Sequence, residues 1–119
     1  MSEPTERATR IYMALRDVIG SDNMTARFST YTLPVLSEVI DLLQLKSTAY
    51  RDSAFERSGI LSQVVPAEAL LIRADDKIRR IKHGDRNALG EDAMLDLIGY
   101  LILYLAVSRA VEDGMEDPA

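Results

Sequence analysis

The chain of 119 residues has no cysteine, no tryptophan and a single histidine, and aromatic residues make up only 6% of it. Without cysteine, there is no disulfide framework, no thiolate nucleophile and no zinc–sulfur site. The sequence also has no phosphate-binding loop of the Walker type, no His-Glu-x-x-His zinc motif and no nucleophile elbow. Carboxylates on helices are the candidate chemistry that remains.

A strong positive charge and a long apolar run are missing too. There are 14 basic and 19 acidic residues, a net charge of −5, which argues against a protein that holds duplex nucleic acid by neutralising phosphates. The longest apolar run, Leu97–Val107, is shorter than the ~18 residues that a membrane span requires. The N-terminus is polar and acidic, unlike a signal peptide. These features predict a soluble, cytoplasmic protein that binds neither duplex nucleic acid nor membrane.

Four segments have helical periodicity, and no segment alternates with a period of two for long enough to be a strand. The sequence therefore predicts an all-α fold: one domain over residues 1–119, with short polar tails at 1–5 and 113–119. The predicted helices run from Thr5 to Val18, from Pro34 to Lys46, from Pro66 to His83 and from Glu91 to Glu112. Residues 20–33 are predicted to be mostly irregular, and residues 49–59 to form a connection with a short helical piece.

Each predicted helix has a predicted buried side. In the second helix an apolar arc lies opposite Glu38 and Asp41; its members are Leu36, Val39, Ile40 and Leu43. In the third helix an apolar stripe is flanked by charged residues. The stripe contains Ala67, Leu70, Leu71, Ala74, Ile78 and Ile81, and the charged face contains Arg73, Asp75, Asp76, Lys77, Arg79, Arg80 and Lys82.

The last helix is apolar all round from Leu97 to Val107, which predicts burial on every side, either within one chain or within an oligomer. Gly99 costs this helix about 1 kcal/mol relative to alanine, so close approach of another helix or a ligand is expected there. A second copy of the chain is expected to complete the bundle, because a chain of this length has few other helices to cover the last one.

Asp92 and Asp96 stand four residues apart at the start of the last helix, where like charges on one face destabilise by roughly 0.2–0.5 kcal/mol unless a cation lies between them. A magnesium ion is one such cation, since it takes oxygen ligands, and acids from neighbouring helices of a bundle can supply them. The alternatives are structural. Asp92 can interact favourably with the positive N-terminal end of the helix dipole. Asp96 can form a buried salt bridge with a basic residue of the third helix: Arg73, Lys77 or Arg80.

The other acids and bases have two interpretations as well. Glu38 and Asp41 can simply face solvent, and Asp75 and Asp76 can belong to a surface charge cluster. Lys77, Arg79 and Arg80 can bind polyphosphate or can keep the protein soluble. Tyr50, after the second helix, can stack on a base or cover the core.

Three motifs occur in an order that a known family shares. They are Lys46 followed four residues later by Tyr50, then the run Arg73–Arg80 with its Asp-Lys-Ile-x-Arg, then Asp92–Tyr100 with its Asp-Leu-x-x-Tyr. In these motifs the chain resembles the all-α nucleoside triphosphate pyrophosphatase superfamily, which is MazG-like. It is most similar to the branch called nucleotide modification associated domain, type one, which is common in phages. The similar part covers roughly residues 36–105.

The resemblance implies a magnesium-dependent hydrolase that splits a nucleoside triphosphate into monophosphate and pyrophosphate. Asp96 matches the last aspartate of the superfamily's second metal motif, and Asp92 takes the place of its glutamate one turn earlier. Asp76 and Glu38 are expected to complete the Mg²⁺ site from facing helices. The expected substrate-binding residues are Lys46, Tyr50, Lys77 and Arg80, and dimers or tetramers are expected.

Departures from the family pattern favour a second hypothesis. The Glu-Glu-x-x-Glu motif of the wider superfamily does not occur, and Ala93 stands where that superfamily has a glutamate. The alternative is a catalytically inactive helical module that binds a nucleotide or a protein, with the last helix as an oligomeric core.

Overall fold

The computed structural model of the chain describes residues 4–50, 53–55, 65–84 and 92–114. Every regular element in these ranges is helical, which confirms the all-α prediction. The four main helices are α1 (Glu6–Ile19), α2 (Leu33–Tyr50), α3 (Pro66–Lys82) and α4 (Ala93–Glu112). Short helical turns lie at Ser21–Asn23, Phe28–Thr32 and Ser53–Phe55.

The ends of α1 follow from its capping residues. The Oγ1 of Thr5 accepts a hydrogen bond from the backbone N–H of Ala8 at 2.9 Å, which satisfies one of the donors left over at a helix start. At the other end Gly20 has φ 84°, a conformation that glycine adopts without strain and that stops the helix. The predicted bounds of α1 are confirmed to within one residue.

The predicted start of α2 at Pro34 is confirmed to within one residue, but α2 ends at Tyr50 rather than near Lys46, and helical structure begins before Leu33. A π-helical turn, Phe28–Thr32, leads directly into α2, and the Oγ1 of Thr25 accepts a hydrogen bond from the N–H of Phe28 at 3.1 Å. Pro34 lies just inside the helix rather than at its start. Because proline lacks an N–H, it donates no hydrogen bond to the preceding turn, and Leu33 before it donates its N–H to the carbonyl of Phe28. Residues 28–32, expected to be irregular, are thus helical.

The chain divides into two compact units, residues 1–49 and residues 50–119. The first contains α1 and most of α2, and the second contains α3 and α4. That both belong to a single domain stays a prediction.

In the first unit, Asp41 of α2 is tied to the start of α1. The hydroxyl of Thr5 donates to Oδ2 of Asp41 at 2.9 Å, and Nε of Arg7 donates to Oδ1. Burial acts to raise the pKa of the Asp41 carboxyl, but the hydrogen bonds from Arg7 and Thr5 and the positive charge of Arg7 outweigh it, so the pKa lies below its ordinary value. The expectation that Asp41 faces solvent is wrong, because α1 supplies these partners.

The buried side of α2 differs accordingly from the predicted arc. Leu33 and Ser37 are fully buried one turn apart on the face that continues to Asp41, and Ser37 donates its hydroxyl to the carbonyl of Leu33 at 2.9 Å. Leu36 and Ile40, predicted to be buried, are exposed. The inward face of α2 is therefore more polar than an apolar pattern predicts.

In the second unit, α3 and α4 pack against each other as a helical hairpin. Pro66 occupies the first position of α3, where its missing N–H costs nothing, and α3 ends at Lys82, followed by His83 as the capping residue and by Gly84 at φ 79°. These predicted ends of α3 are confirmed. A salt bridge joins the end of α3 to the beginning of α4 and is described below.

Burial on every side, predicted for α4, does not occur within the described part of the chain. Ala93, Asp96, Gly99 and Val107 are buried, whereas Leu101 and Leu105 are 45% and 59% exposed. By length and composition alone α4 could also cross a membrane, although a core helix of a soluble protein passes the same test. The apolar surface of α4 is larger than α3 can cover.

Candidate functional site

The buried stripe of α3 includes a lysine. Pro66, Leu70, Ala74 and Lys77 are the buried residues of this helix, spaced by four, four and three positions. Lys77 was predicted on the charged outer face, and Ile78 in the stripe; Ile78 is instead 42% exposed. The aliphatic stem of a lysine packs like an apolar side chain when its ammonium group finds a polar partner. The stripe is therefore rotated by about one position from the predicted one.

The partner of Lys77 is Asp96. Its Nζ lies 3.4 Å from Oδ2 of Asp96, and both side chains are only 10% exposed. This is one of the salt bridges that the sequence left open as an alternative for Asp96. A charge pair at this depth interacts strongly, but much of that attraction only offsets the loss of hydration, so the pair orients α3 on α4 more than it adds stability.

Asp92 caps α4. Its Oδ1 accepts hydrogen bonds from the N–H groups of Met94 at 3.0 Å and Leu95 at 3.3 Å, and its backbone is extended, as is typical of the residue before a helix. The carboxylate also interacts favourably with the positive end of the helix dipole. Asp92 therefore stabilises the start of α4, which is the structural role that the sequence left open for it.

An open groove runs along the outside of α3 beside α4, with a volume of about 510 Å³. This lies within the range of small-molecule sites, roughly 300–1,000 Å³. The described residues that line it comprise three bases, two acids and two residues with apolar surface: Arg73, Lys77, Arg79, Asp75, Asp76, Ile72 and Tyr100.

The groove combines charged side chains with apolar surface, which suits a ligand that has an anionic part and a flat apolar part. Arginine guanidinium groups bind phosphate through paired N–H donors, and a lysine ammonium acts as a point charge. Carboxylates can hold a magnesium ion that phosphate oxygens share. The ring of Tyr100 and the side chain of Ile72 offer apolar surface to a base or another planar group. Together these side chains can bind a magnesium polyphosphate ester.

The predicted site residues fall into three groups. The structure brings Asp76 and Lys77 together at the groove, and Asp96 adjoins them through Lys77. Asp92 lies one turn before Asp96 at the helix start, and Arg80 is half-buried on α3 without being among the described lining residues of the groove.

The remaining predicted residues belong to α2. Glu38 and Lys46 are half-buried residues of the first unit. The side chain of Tyr50, at the end of α2, lies outside the described residues. Among the residues that the structure describes, no three acids or histidines are grouped closely enough to hold a metal ion by themselves.

Two lining residues were not assigned to substrate binding from the sequence, namely Arg73 and Tyr100. Arg73 was named only as a salt-bridge partner, and Tyr100 only as part of a motif. A signal was present for both: Arg73 lies one turn before Lys77, and Tyr100 one turn after Asp96. Lys77 lies beside Asp96, and Arg73 and Tyr100, one turn away on α3 and α4, line the same groove.

No family model, curated protein or solved structure matches this chain. The resemblance to the MazG-like superfamily therefore rests on the motifs in the sequence alone, and its functional implications are proposals.

Proposed function

We propose that the groove along α3 binds a nucleoside triphosphate as its magnesium complex, and that the chain hydrolyses it to a monophosphate and pyrophosphate. The observation that supports this proposal is the lining of the groove, where three bases, two neighbouring acids and a tyrosine ring share one open site of about 510 Å³. Two of the three motifs that carry the resemblance, Arg73–Arg80 and Asp92–Tyr100, fall on α3 and at the start of α4, the two helices that form this groove, whereas the motif from Lys46 to Tyr50 lies on α2.

Magnesium enters the proposed site with the substrate. Mg²⁺ usually keeps several waters and is held by one or two carboxylates together with substrate phosphates, rather than by a cage made of protein ligands alone. Asp76, which is exposed at the groove with Asp75 beside it, is the ligand that this role requires. A bound Mg²⁺ would polarise the attacked phosphate and favour ionisation of the attacking water.

The bases of the groove neutralise the phosphate chain, which is the main demand that phosphoryl transfer places on a protein. Arg73 and Arg79 bind phosphate oxygens through their forks, and Lys77 places an ammonium group at the inner wall. Tyr100 stacks on the base. In this proposal Asp96 is a positioning residue, because its carboxylate holds the Lys77 ammonium group toward the groove.

Five further residues keep the roles that the resemblance implies, as proposals without support from the groove. Direct magnesium binding is proposed for Asp92 and Glu38, and substrate binding for Lys46, Tyr50 and Arg80. A cytoplasmic location and a role in phage nucleotide metabolism likewise remain predictions from the sequence.

A noncatalytic module that binds a nucleotide is the second candidate, and one observation favours it. Two of the four acids expected to bind metal have protein partners: Asp92 accepts hydrogen bonds from the first N–H groups of α4, and Asp96 pairs with Lys77. If Asp92 and Asp96 serve only to stabilise the fold, the groove with its bases would bind a nucleotide without hydrolysing it.

A panel of ribo- and deoxynucleoside triphosphates, each with and without Mg²⁺, separates the candidates when both pyrophosphate release and the shift in Tm are measured. The enzyme releases pyrophosphate only with Mg²⁺, and Asp76→Asn abolishes release while keeping a nucleotide-dependent rise in Tm. The binding module shows the rise in Tm without release. If neither signal appears with any nucleotide, both candidates are wrong.

A matched pair of arginine variants locates the site. Arg73→Ala removes a base of the groove, whereas Arg10→Ala removes another exposed arginine, which lies on α1. We expect Arg73→Ala to weaken nucleotide binding at least tenfold and Arg10→Ala to leave it unchanged. Equal affinity in the two variants would remove the groove from the proposal.

A further inference from the structure

The groove along α3 has different chemistry at its two ends. Among its described lining residues, the two with apolar surface, Ile72 and Tyr100, lie toward one end together with Arg73, and Arg79 lies at the other end. The backbones of Arg73 and Arg79 are separated by about 9 Å along the helix axis, at 1.5 Å per residue. A ligand that lies along the groove therefore meets one end that is both apolar and basic, and one end that is basic.

The level of Tyr100 along the groove follows from the salt bridge between the helices. Nζ of Lys77 lies 3.4 Å from Oδ2 of Asp96, so these two residues are at the same level. Because α4 runs back along α3 in the hairpin, one turn forward on α4 corresponds to one turn back on α3. Those steps lead to Tyr100 and to Arg73, which line the groove together. The tyrosine ring therefore belongs to the Arg73 end.

The acids of the groove lie between its two ends. Asp75 and Asp76 are exposed and stand between Arg73 and Arg79 on α3. The buried Lys77 follows them at the inner wall. A magnesium ion held by one of these carboxylates would contact the middle of a polyphosphate chain that lies along the groove.

We propose that the groove has two subsites and binds a nucleotide in one direction. The nucleoside monophosphate part lies at Tyr100 and Arg73, the two outer phosphates lie at Arg79, and Mg²⁺ lies between the two subsites. Arg79 is then the residue that selects a triphosphate over a monophosphate. This inference rests on the proposed function and adds to it the direction of the substrate and the origin of its selectivity for chain length.

The opposite direction would match neither end of the groove. It would place the outer phosphates beside Tyr100 and Ile72, and it would place the base at Arg79, where the described lining has no aromatic ring. Charged groups lose hydration beside apolar side chains, whereas a base gains from stacking on a ring. The distribution of side chains therefore favours the base at Tyr100.

The charge near Arg79 suits a pyrophosphate group even though a helix ends nearby. The C-terminal end of α3 carries a partial negative charge, about half an elementary charge, which repels anions. The last turn of α3 contains three bases, Arg79, Arg80 and Lys82. Their full positive charges exceed the partial charge of the helix end, so this end of α3 attracts an anion.

Hydrolysis between the first and second phosphates would divide the products between the subsites. The oxygen of water bonds to the phosphorus nearest the sugar, and a proton of that water passes to solvent. The bond from this phosphorus to the bridging oxygen breaks, and pyrophosphate leaves with the bonding electrons. The monophosphate then remains at Tyr100 and the pyrophosphate at Arg79, so each product should also bind by itself.

The binding of the two products tests the two subsites separately, and neither product is consumed during the measurement. Isothermal titration calorimetry with Mg²⁺ gives Kd for inorganic pyrophosphate and for the common ribo- and deoxynucleoside monophosphates. We expect Arg79→Gln to weaken pyrophosphate binding by about tenfold or more, the loss expected for one charge-assisted hydrogen bond, and to leave monophosphate binding within about twofold. Arg73→Gln should have the converse effects.

Arg73 and Arg79 form a matched pair, because both are exposed arginines of the same helix. A third variant, Arg109→Gln, removes an exposed arginine of α4 that stands nine residues beyond Tyr100. We expect it to leave both affinities unchanged. Circular dichroism of each variant checks that the helix content equals that of the wild type.

Three results would overturn the proposal while leaving the proposed function intact. Exchanged effects of Arg73→Gln and Arg79→Gln would show the opposite direction. Equal effects of the two variants on both products would show one undivided site. Failure of either product to bind at millimolar concentration, although a triphosphate binds, would show that the subsites do not exist. The proposed function fails by a different result, namely no binding and no pyrophosphate release with any triphosphate, and that result would remove both proposals.

Discussion

The ammonium group of Lys77 lies 3.4 Å from Oδ2 of Asp96, and the two side chains are equally buried, at 10% exposure each. One charge comes from α3 and the other from α4, so the pair defines how the two helices meet. The sequence predicted Lys77 on the charged outer face of the third helix and Asp96 at the start of an apolar run. In the structure both side chains are buried within the second unit.

Removing either charge of this pair should destabilise the chain strongly. Asp96→Asn removes the carboxylate that lies 3.4 Å from the buried Lys77 ammonium group, and breaking a buried pair typically costs about 3–5 kcal/mol. Lys77→Met is expected to have a similar effect through the buried Asp96 carboxylate. Urea unfolding followed by circular dichroism measures both free energies of unfolding.

The double variant Lys77→Met/Asp96→Leu is the control for that prediction. Because it removes both charges and keeps apolar volume, its stability should lie within about 1 kcal/mol of the wild type, and the coupling between the sites should be large. Additive losses in the double variant would show that the two side chains do not interact as the structure describes.

Asp92 offers a way to separate a capping role from a metal-binding role. Asparagine caps helices about as well as aspartate, whereas alanine costs typically about 1 kcal/mol. We therefore expect Asp92→Asn to keep the wild-type free energy of unfolding and Asp92→Ala to lose about 1 kcal/mol. If Asp92→Asn still hydrolyses a nucleotide with Mg²⁺, Asp92 acts only as a helix cap. If Asp92→Asn loses this activity while its stability is unchanged, Asp92 is a magnesium ligand.

Two adjacent leucines test the rotation of the α3 stripe. Leu70 is 2% exposed and Leu71 is 41% exposed. Leu70→Ala should cost about 2–5 kcal/mol, because a buried side chain is removed and a cavity remains. Leu71→Ala is the matched control, and we expect it to cost under about 1 kcal/mol. Equal losses for the two variants in a thermal or urea melt would contradict the described face.

The tie between Asp41 and Arg7 should make stability depend on pH. Since the pKa of Asp41 in the folded chain lies below its ordinary value of 3.8, its contribution is fully present at a pH well above 3.8. The contribution is lost as the pH falls through the lowered pKa, because the folded state must then take up a proton against the Arg7 charge.

The measurement is Tm from pH 7 down to pH 2 for the wild type and for Arg7→Gln. We expect the wild type to have the higher Tm at neutral pH and the difference to shrink as the pH falls below 3.8. Thr9→Ala, an exposed change on the same helix, should keep the wild-type pH dependence. A difference between wild type and Arg7→Gln that stays constant with pH would show that Asp41 does not carry the effect.

The helix ends could be read from the sequence because they depend on local chemistry. Thr5 before α1, Pro66 at the start of α3 and Gly84 at its end each act within one turn of chain, through a cap, a missing N–H or a positive φ. The helical turn before α2 could not, because Thr25 accepts a hydrogen bond from Phe28 and a π-helical turn, Phe28–Thr32, follows where the sequence predicted irregular structure.

The inward faces could be read only in part, because a polar residue can be buried once it has a partner. Asp41 points inward because Thr5 and Arg7 hold it, and Lys77 points inward because Asp96 does. In each case the partner is distant in the sequence, so the apolar pattern of one helix contains no sign of it. The grouping of Arg73, Arg79 and Tyr100 in one groove depends on the same pairing.

The sequence by itself determined that the chain is helical, where most of its helices begin and end, and that its acids stand at helical spacing. These properties depend on backbone conformation and on hydrogen bonds within a few residues. The tertiary structure alone decided that Lys77 meets Asp96, that Asp41 meets Arg7 and that Arg73, Arg79 and Tyr100 line one groove. Those outcomes depend on which helices approach each other, and burial then favours the charges that find an opposite charge or an N–H donor.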